Sequence, residues 1–285
     1  MTNDILIVSS SASEIYSESD ISKIKKILKN LDIKVGHLDF KEDSFEYLAK
    51  ESPKLILNLI PVKGDKYSNL LPALCDLYEI PYTGSGIFTI SSLSRGFAEN
   101  LLAYHEIEYN PKYDTLEQKI EDDLPDSPKQ NISIKRSVSS LEKSVFELYR
   151  ISIVGNKNKL ILNTLDIDGE NKWKTVKLHK SELKKIIELA QKMKDALKIY
   201  DHIQFDVPKD SMNEAKLTVT GINPSPVLKE NSNFYDALKS KGITYDEMII
   251  AIIASAMVRY NILFSKSMKK AFILKFFEKF EISEV

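Results

Sequence analysis

The sequence predicts an α/β protein, with a doubly wound parallel sheet at the N-terminus and a mixed α+β region after it. Two observations carry that expectation. Strand and helix patterns alternate over residues 1–60, the order that gives parallel strands joined by crossover helices. Residues 203–222 then read as two short strands joined by a polar, turn-rich connection, so antiparallel pairing enters near the C-terminus.

Taken in order, Ile5–Val8 is a compact apolar run suited to a strand. Ile21, Ile24, Ile27, Leu28 and Leu31 recur at helical spacing, with Ser19 or Asp20 as the cap. Ile33–Leu38 reads as a second strand, Phe45–Leu48 opens a helix, and Leu55–Ile60 is a third strand. Pro81–Gly86 (PYTGSG) is a tight turn, and a helix follows from Ser91 to Tyr104. Residues 109–128 are polar and acidic, with prolines at 111, 125 and 128, and read as a linker or mobile loop. Ile132–Ile134, Tyr149–Val154 and Leu160–Leu165 look like strands. Ser181 is placed to cap an amphipathic helix with Leu183, Ile186, Ile187, Ala190, Met193 and Leu197 on one face. Thr244 and Glu247 form a capping-box pattern leading into an apolar helix over 247–263. The tail 266–285 mixes Lys and Phe at helical spacing and is expected to pack on the outside. The implied divisions are 1–93, 94–165 and 166–285.

Composition narrows the function classes. A net charge of -1 over 285 residues gives no field to recruit nucleic acid or an anionic membrane. Only Arg95, Arg136, Arg150 and Arg259 are arginines, so bidentate forks for phosphate or carboxylate are few. The single cysteine, Cys75, excludes an internal disulfide and fits a reducing compartment. Asp4 before the first apolar run argues against a signal peptide, and Met248–Val258 is too short to span a bilayer. A cytoplasmic protein is expected. His37, His105, His179 and His202 lack ligand spacing and receive no role.

The chemistry concentrates near the two short strands. Side chains alternate along a strand, so Gly221 and Asn223 point the same way, and hairpin pairing can bring Asp206 beside them. An aspartate and an asparagine beside a Pro-rich turn suit a hard, oxygen-liganded cation such as magnesium. Gly221 offers no side chain, which leaves half a metal site. The plainer alternatives stay open: Asp206 as a solvated strand-edge carboxylate, Asn223 as a cap for the Pro224–Pro226 turn. The loop Ser9–Ser19, at the carboxyl end of the first strand, is a candidate site wall. No GxGxxG or GxxxxGK[ST] pattern occurs.

Several stretches resemble, in the right order, segments of the D-alanine–D-alanine ligases, which are ATP-grasp enzymes. They are NLIPVKGDKYSNLLPALCDLYEIPYTGSG at 58–86, ELYRISIVGN at 147–156, IQFDV, GINPSP with Ser232, and ALKSKGITYDEMI. The resemblance implies an N-terminal domain, a shortened central lid and a C-terminal ATP-grasp domain. It also implies ATP and magnesium as cofactors, a nucleotide or small amino acid as ligand, and a homodimer formed through the N-terminal domain. Matched by position, Asp206 and Asn223 fall on metal ligands, and Gly221 falls where a glutamate bridges two magnesium ions. Gln204 stands in for an arginine that stabilises the oxyanion; losing one such donor costs on the order of 10²–10³ in rate. Lys135 and Arg95 fall on nucleotide-contacting lysines. Ser13, with Glu14 beside it, falls where a glutamate binds the first substrate's ammonium, and Ser232 where a serine holds the second D-alanine's carboxylate. Pro61 and Val62 replace a histidine and a glycine, and Val227 replaces another glycine. RSVSSLEKS after Lys135 has no glycine to wrap its backbone around phosphate. The later loop has shrunk to DIDGENKWKTVK, leaving Lys172, Trp173 and Lys174 as substitutes.

Two functions follow. One is a degenerate, non-catalytic or weakly active relative kept for binding or regulation, which need carry no cofactor. The other is an active ATP-dependent carboxylate–amine ligase in peptidoglycan precursor synthesis. The missing glutamate, arginine and glycine-rich loop are separate losses from one mechanism, and they favour the first.

Overall fold

A computed structural model describes residues 3–62, 65–94, 97–110, 148–156, 159–167, 173–176, 178–214 and 216–263. Three apolar runs near the N-terminus pair as a parallel sheet. Strand β1 (Ile5–Ser9) lies at its centre, between β2 (Val35–Asp39) and β3 (Leu55–Asn58). Parallel neighbours need crossovers, and helices α1 (Glu18–Lys29) and α2 (Ser44–Glu51) provide them. Along β1, Ile5 and Ile7 enter one core cluster while Leu6 and Val8 enter another, so the sheet is covered on both faces. The cap of α1 is Ser17 rather than Ser19 or Asp20. Ser17 Oγ accepts from Asp20 N (3.3 Å), and the Asp20 carboxylate accepts from Ser17 N (2.9 Å), a reciprocal box. That start leaves Glu18 and Asp20 in the first turn, where the helix dipole favours acids.

After α3 (Leu70–Leu77) and the PYTGSG turn, the expected single helix is two: α4 (Ile87–Ser94) and α5 (Ala98–Tyr104). The sequence has Gly96 between them, a weak helix former. A short strand β4 (Glu108–Tyr109) follows.

The second sheet is antiparallel, in the order β10-β8-β5-β6-β7. Its strands are β5 (Leu148–Asn156), β6 (Lys159–Ile167), β7 (Trp173–Thr175), β8 (His202–Pro208) and β10 (Gly221–Asn223). Trp173–Thr175, expected in a loop, is thus an edge strand. Helix α6 (Lys180–Leu197) covers one face: its Ile186, Ala190, Met193 and Leu197 share a core with Ile151, Ile153, Ile203, Phe205 and Val207. His179, not Ser181, caps α6; its Nδ1 faces Ser181 N (3.4 Å) and Glu182 takes His179 N (2.6 Å). The strand expected over 216–222 is split. Strand β9 (Thr218–Val219) pairs in parallel with β4, whereas Gly221–Asn223 pairs with β8. At the corner Thr220 N donates to Asp206 O at 2.9 Å.

Helices α7 (Asn233–Lys239) and α8 (Tyr245–Arg259) complete the described chain. The Thr244–Glu247 box forms as expected: Thr244 Oγ1 accepts from Glu247 N (3.2 Å), and Glu247 accepts from Thr244 N (2.8 Å). Helix α8 ends four residues earlier than the pattern suggested, at Arg259. Its Met248, Ile249, Ile252, Ile253 and Ala256 share a core cluster with Ile5, Ile7, Leu55 and Leu57 of the first sheet. Among the described residues, no helix is long and apolar enough to cross a membrane. The expected linker beyond residue 110, the strand at Ile132–Ile134, Lys135, Arg95, Lys172 and the tail 266–285 lie outside the described residues.

Candidate functional site

The candidate residues gather on the face of the second sheet opposite α6. Arg150 stands directly across from Asp206, and Ser152 across from Gln204. On the other side of β8, Gly221 is opposite Asp206 and Asn223 is opposite Gln204. Directly opposed residues of antiparallel strands project to the same side, so these six form one polar stripe. The hairpin expectation therefore holds in its register.

Within the stripe the side chains bond to one another. Arg150 Nε donates to Asp206 Oδ1 and Arg150 Nη2 to Asp206 Oδ2, both at 2.8 Å, a charge-assisted bidentate fork. The two side chains are only 10% and 14% exposed. The buried Gln204 donates through Nε2 to Ser152 Oγ at 3.0 Å. Asn223 Oδ1 accepts from Ser225 N at 3.1 Å and so closes the Pro turn through its side chain.

For a divalent cation this donor set is a poor fit. Both Asp206 oxygens hold a guanidinium, the Asn223 oxygen is engaged by Ser225, and Gly221 brings nothing. Magnesium asks for several oxygens in near-octahedral array. Among the described residues, no group of three or more His, Cys, Asp and Glu side chains could hold a metal ion. Glu230, a carboxylate that could have substituted from another loop, is ion-paired with Lys23 on α1.

The loops expected to face a small substrate meet each other. Tyr16 Oη accepts from Leu228 N (2.7 Å), and Lys229 Nζ donates to Ile15 O (2.9 Å). These bonds join the loop bearing Ser13 and Glu14 to the loop bearing Ser232. Ser13 Oγ donates to Ser10 O at 2.9 Å, and Glu14 is exposed in a left-handed conformation with φ 51°. Ser232 caps α7, accepting from Tyr235 N (3.2 Å) and donating to Lys229 O (2.8 Å). The turn after β10 docks on the first sheet: Ser225 Oγ donates to Ile60 O (3.3 Å), and Ser85 Oγ donates to Pro224 O (3.4 Å).

A second polar node escaped the sequence reading. Asp201, buried just before β8, accepts from Gly84 N (2.9 Å) and Arg259 Nη2 (2.7 Å) on one oxygen and from Ser255 Oγ (2.8 Å) on the other. Arg259 also donates to Tyr82 O at 2.8 Å and stacks 4.5 Å and 4.4 Å from the ring centres of Tyr200 and Tyr260. Burial opposes the Arg259 charge, but Asp201 and Tyr260 together outweigh it and raise the guanidinium above its ordinary pKa. Beside it, burial pushes His202 down to about 4; Lys194 and Arg259 act in the same direction, against Asp201. The available signal was scarcity: Arg150 and Arg259 are two of only four arginines, each within an apolar element.

No protein-family model matches the sequence, and comparison with curated proteins finds no match. Solved structures do match. The D-alanine–D-alanine ligase of Bacillus anthracis complexed with ATP superposes with a TM-score of 0.64 at 14% identity, over 90% of this chain and 99% of that one. The D-alanine–D-alanine ligase of Coxiella burnetii gives 0.56 at 13%, over 92% and 96%. The VanG D-Ala:D-Ser ligase of Enterococcus faecalis gives 0.56 at 13%, over 90% and 100%. Identity this low carries architecture and leaves chemistry to the site itself. With 90–92% of its length covered, the chain has the fold of the D-alanine–D-alanine ligases.

Proposed function

We propose that this protein binds a ligand on the ligase fold without carrying out ligation at a significant rate. One observation supports this above the others: across β8, Gly221 is the residue opposite Asp206. Phosphoryl transfer between two cations needs carboxylates to hold both ions against the phosphate oxygens, and this position contributes none. Gln204, bonded to Ser152, adds a neutral amide where the resemblance implies a cationic oxyanion donor. A nucleotide is the ligand class we favour, because the Bacillus anthracis ligase of this fold is an ATP complex. The role is then binding or regulation.

The test is direct. Calorimetry with ATP is expected to give binding, while ATP, magnesium and D-alanine together are expected to release no phosphate above background. Phosphate release that Asp206→Ala abolishes would establish an active carboxylate–amine ligase instead. Absence of both binding and turnover would remove the nucleotide from the reading.

A further inference from the structure

We propose that Arg150 is a built-in replacement for a divalent cation at this face, so that the site is both neutralised without metal and closed to metal. The proposal deepens the reading above and rests on it. Arg150 lies directly across from Asp206 on β5, and its Nε and Nη2 each donate to a different Asp206 oxygen at 2.8 Å. The charge it brings is permanent, because a guanidinium does not deprotonate in proteins. A divalent ion approaching either oxygen meets a like charge already at hydrogen-bond distance, in a place where water screens little.

Position distinguishes this from an ion pair kept for packing. The apolar face of the same strands holds Ile151, Ile153, Phe205 and Val207 against α6. Arg150 and Asp206 are on the other face, in line with Gln204 and Asn223 and beside the turn that docks on Ile60. The Asp206 charge is therefore met inside the polar stripe by a guanidinium fork rather than by a metal bridge.

The probe is Mn²⁺ alone, added to the full chain and followed by electron paramagnetic resonance, which reads the free aquo ion. Wild-type protein is expected to leave Mn²⁺ free at about 1 mM, the weak end of oxygen-ligand sites. Arg150→Met is expected to bind it at least about tenfold more tightly, and Arg150→Met/Asp206→Asn is expected to lose that gain. Wild-type binding that Asp206→Asn abolishes overturns the proposal, as does equal binding by wild type and Arg150→Met. Because Arg150→Met strands a half-buried carboxylate, its melting is also compared with and without Mn²⁺. A midpoint raised by Mn²⁺ in the variant but not in wild type supports the proposal; no difference between them overturns it. These readouts are independent of turnover, so phosphate release by wild type would sink the functional reading and leave a distinct record from a failure here.

Discussion

Asp201→Ala is the most informative single perturbation of this fold. The carboxylate joins three parts of the chain: the Gly84 amide of the PYTGSG turn, Ser255 on α8, and the Arg259 guanidinium at its end. Removing it orphans two buried donors, each costing about 1–3 kcal/mol, and breaks a buried ion pair, worth roughly 3–5 kcal/mol when one partner goes. The losses share one carboxylate and do not add. Arg259 is 19% exposed and keeps its bond to Tyr82 O and its stacking on Tyr200 and Tyr260, which moderates the loss. We expect about 4 kcal/mol for Asp201→Ala and about 2 kcal/mol for Asp201→Asn, which retains an acceptor. Urea unfolding followed by circular dichroism measures both. A double-mutant cycle with Arg259→Met should return a coupling of about 2 kcal/mol. An Asp201→Ala protein within about 1 kcal/mol of wild type, or a coupling of zero, would refute the node as a structural clamp.

Four further outcomes are expected. His202 is held neutral in the fold, with a pKa of about 4 against an ordinary 6.5, so the unfolded chain takes up the proton first. Its contribution is complete above pH 6.5 and is lost as pH falls towards 4, roughly 3 kcal/mol in all; stability profiles of wild type and His202→Leu that run parallel through this window would exclude it. Gly84 has φ +88°, and a Cβ there would lie 3.4 Å from His202 Cε1, so Gly84→Ala should cost about 1–2 kcal/mol by denaturant melt. Ser232→Ala should lose the α7 cap, about 1 kcal/mol, with an unchanged melting midpoint as the contrary result. Nucleotide affinity should be the same in magnesium and in EDTA; calorimetry that finds a magnesium requirement contradicts a site closed by Arg150.

The legible parts of this fold are those whose signals are local. The compact apolar run Ile5–Val8, the helical spacing of Ile186, Ala190 and Met193, and the Thr244–Glu247 box each depend on neighbours within a few residues, and each forms. Caps were harder where two polar residues competed. His179 rather than Ser181 begins α6, because the residue with extended backbone, and not the better intrinsic capper, occupies the cap position. The split of 216–222 had no local signal at all: it depends on Glu108–Tyr109 arriving alongside Thr218–Val219. The site divides in the same way. Strand phase put Asp206, Gly221 and Asn223 on one face, but which strand flanks β8 on its other side is a question of topology, and that alone decides that Arg150 meets Asp206. Asn223 carried two readings in the sequence, ligand or turn cap, and its bond from Ser225 N realises the second.

The docking of α8 on the first sheet has a consequence for how this chain can be made. Strands β1 to β3, complete by Asn58, are synthesised well before α8, yet the cover for Ile5, Ile7, Leu55 and Leu57 includes Met248, Ile249, Ile252 and Ile253. Emerging from a ribosome N-terminus first, the sheet waits with part of one apolar face bare until the last described helix arrives. A segment made before α8 is thus finished only after it, and contacts this distant in sequence are slow to form. A nascent chain stopped before residue 245 would therefore present that bare face to chaperones or to other copies of itself.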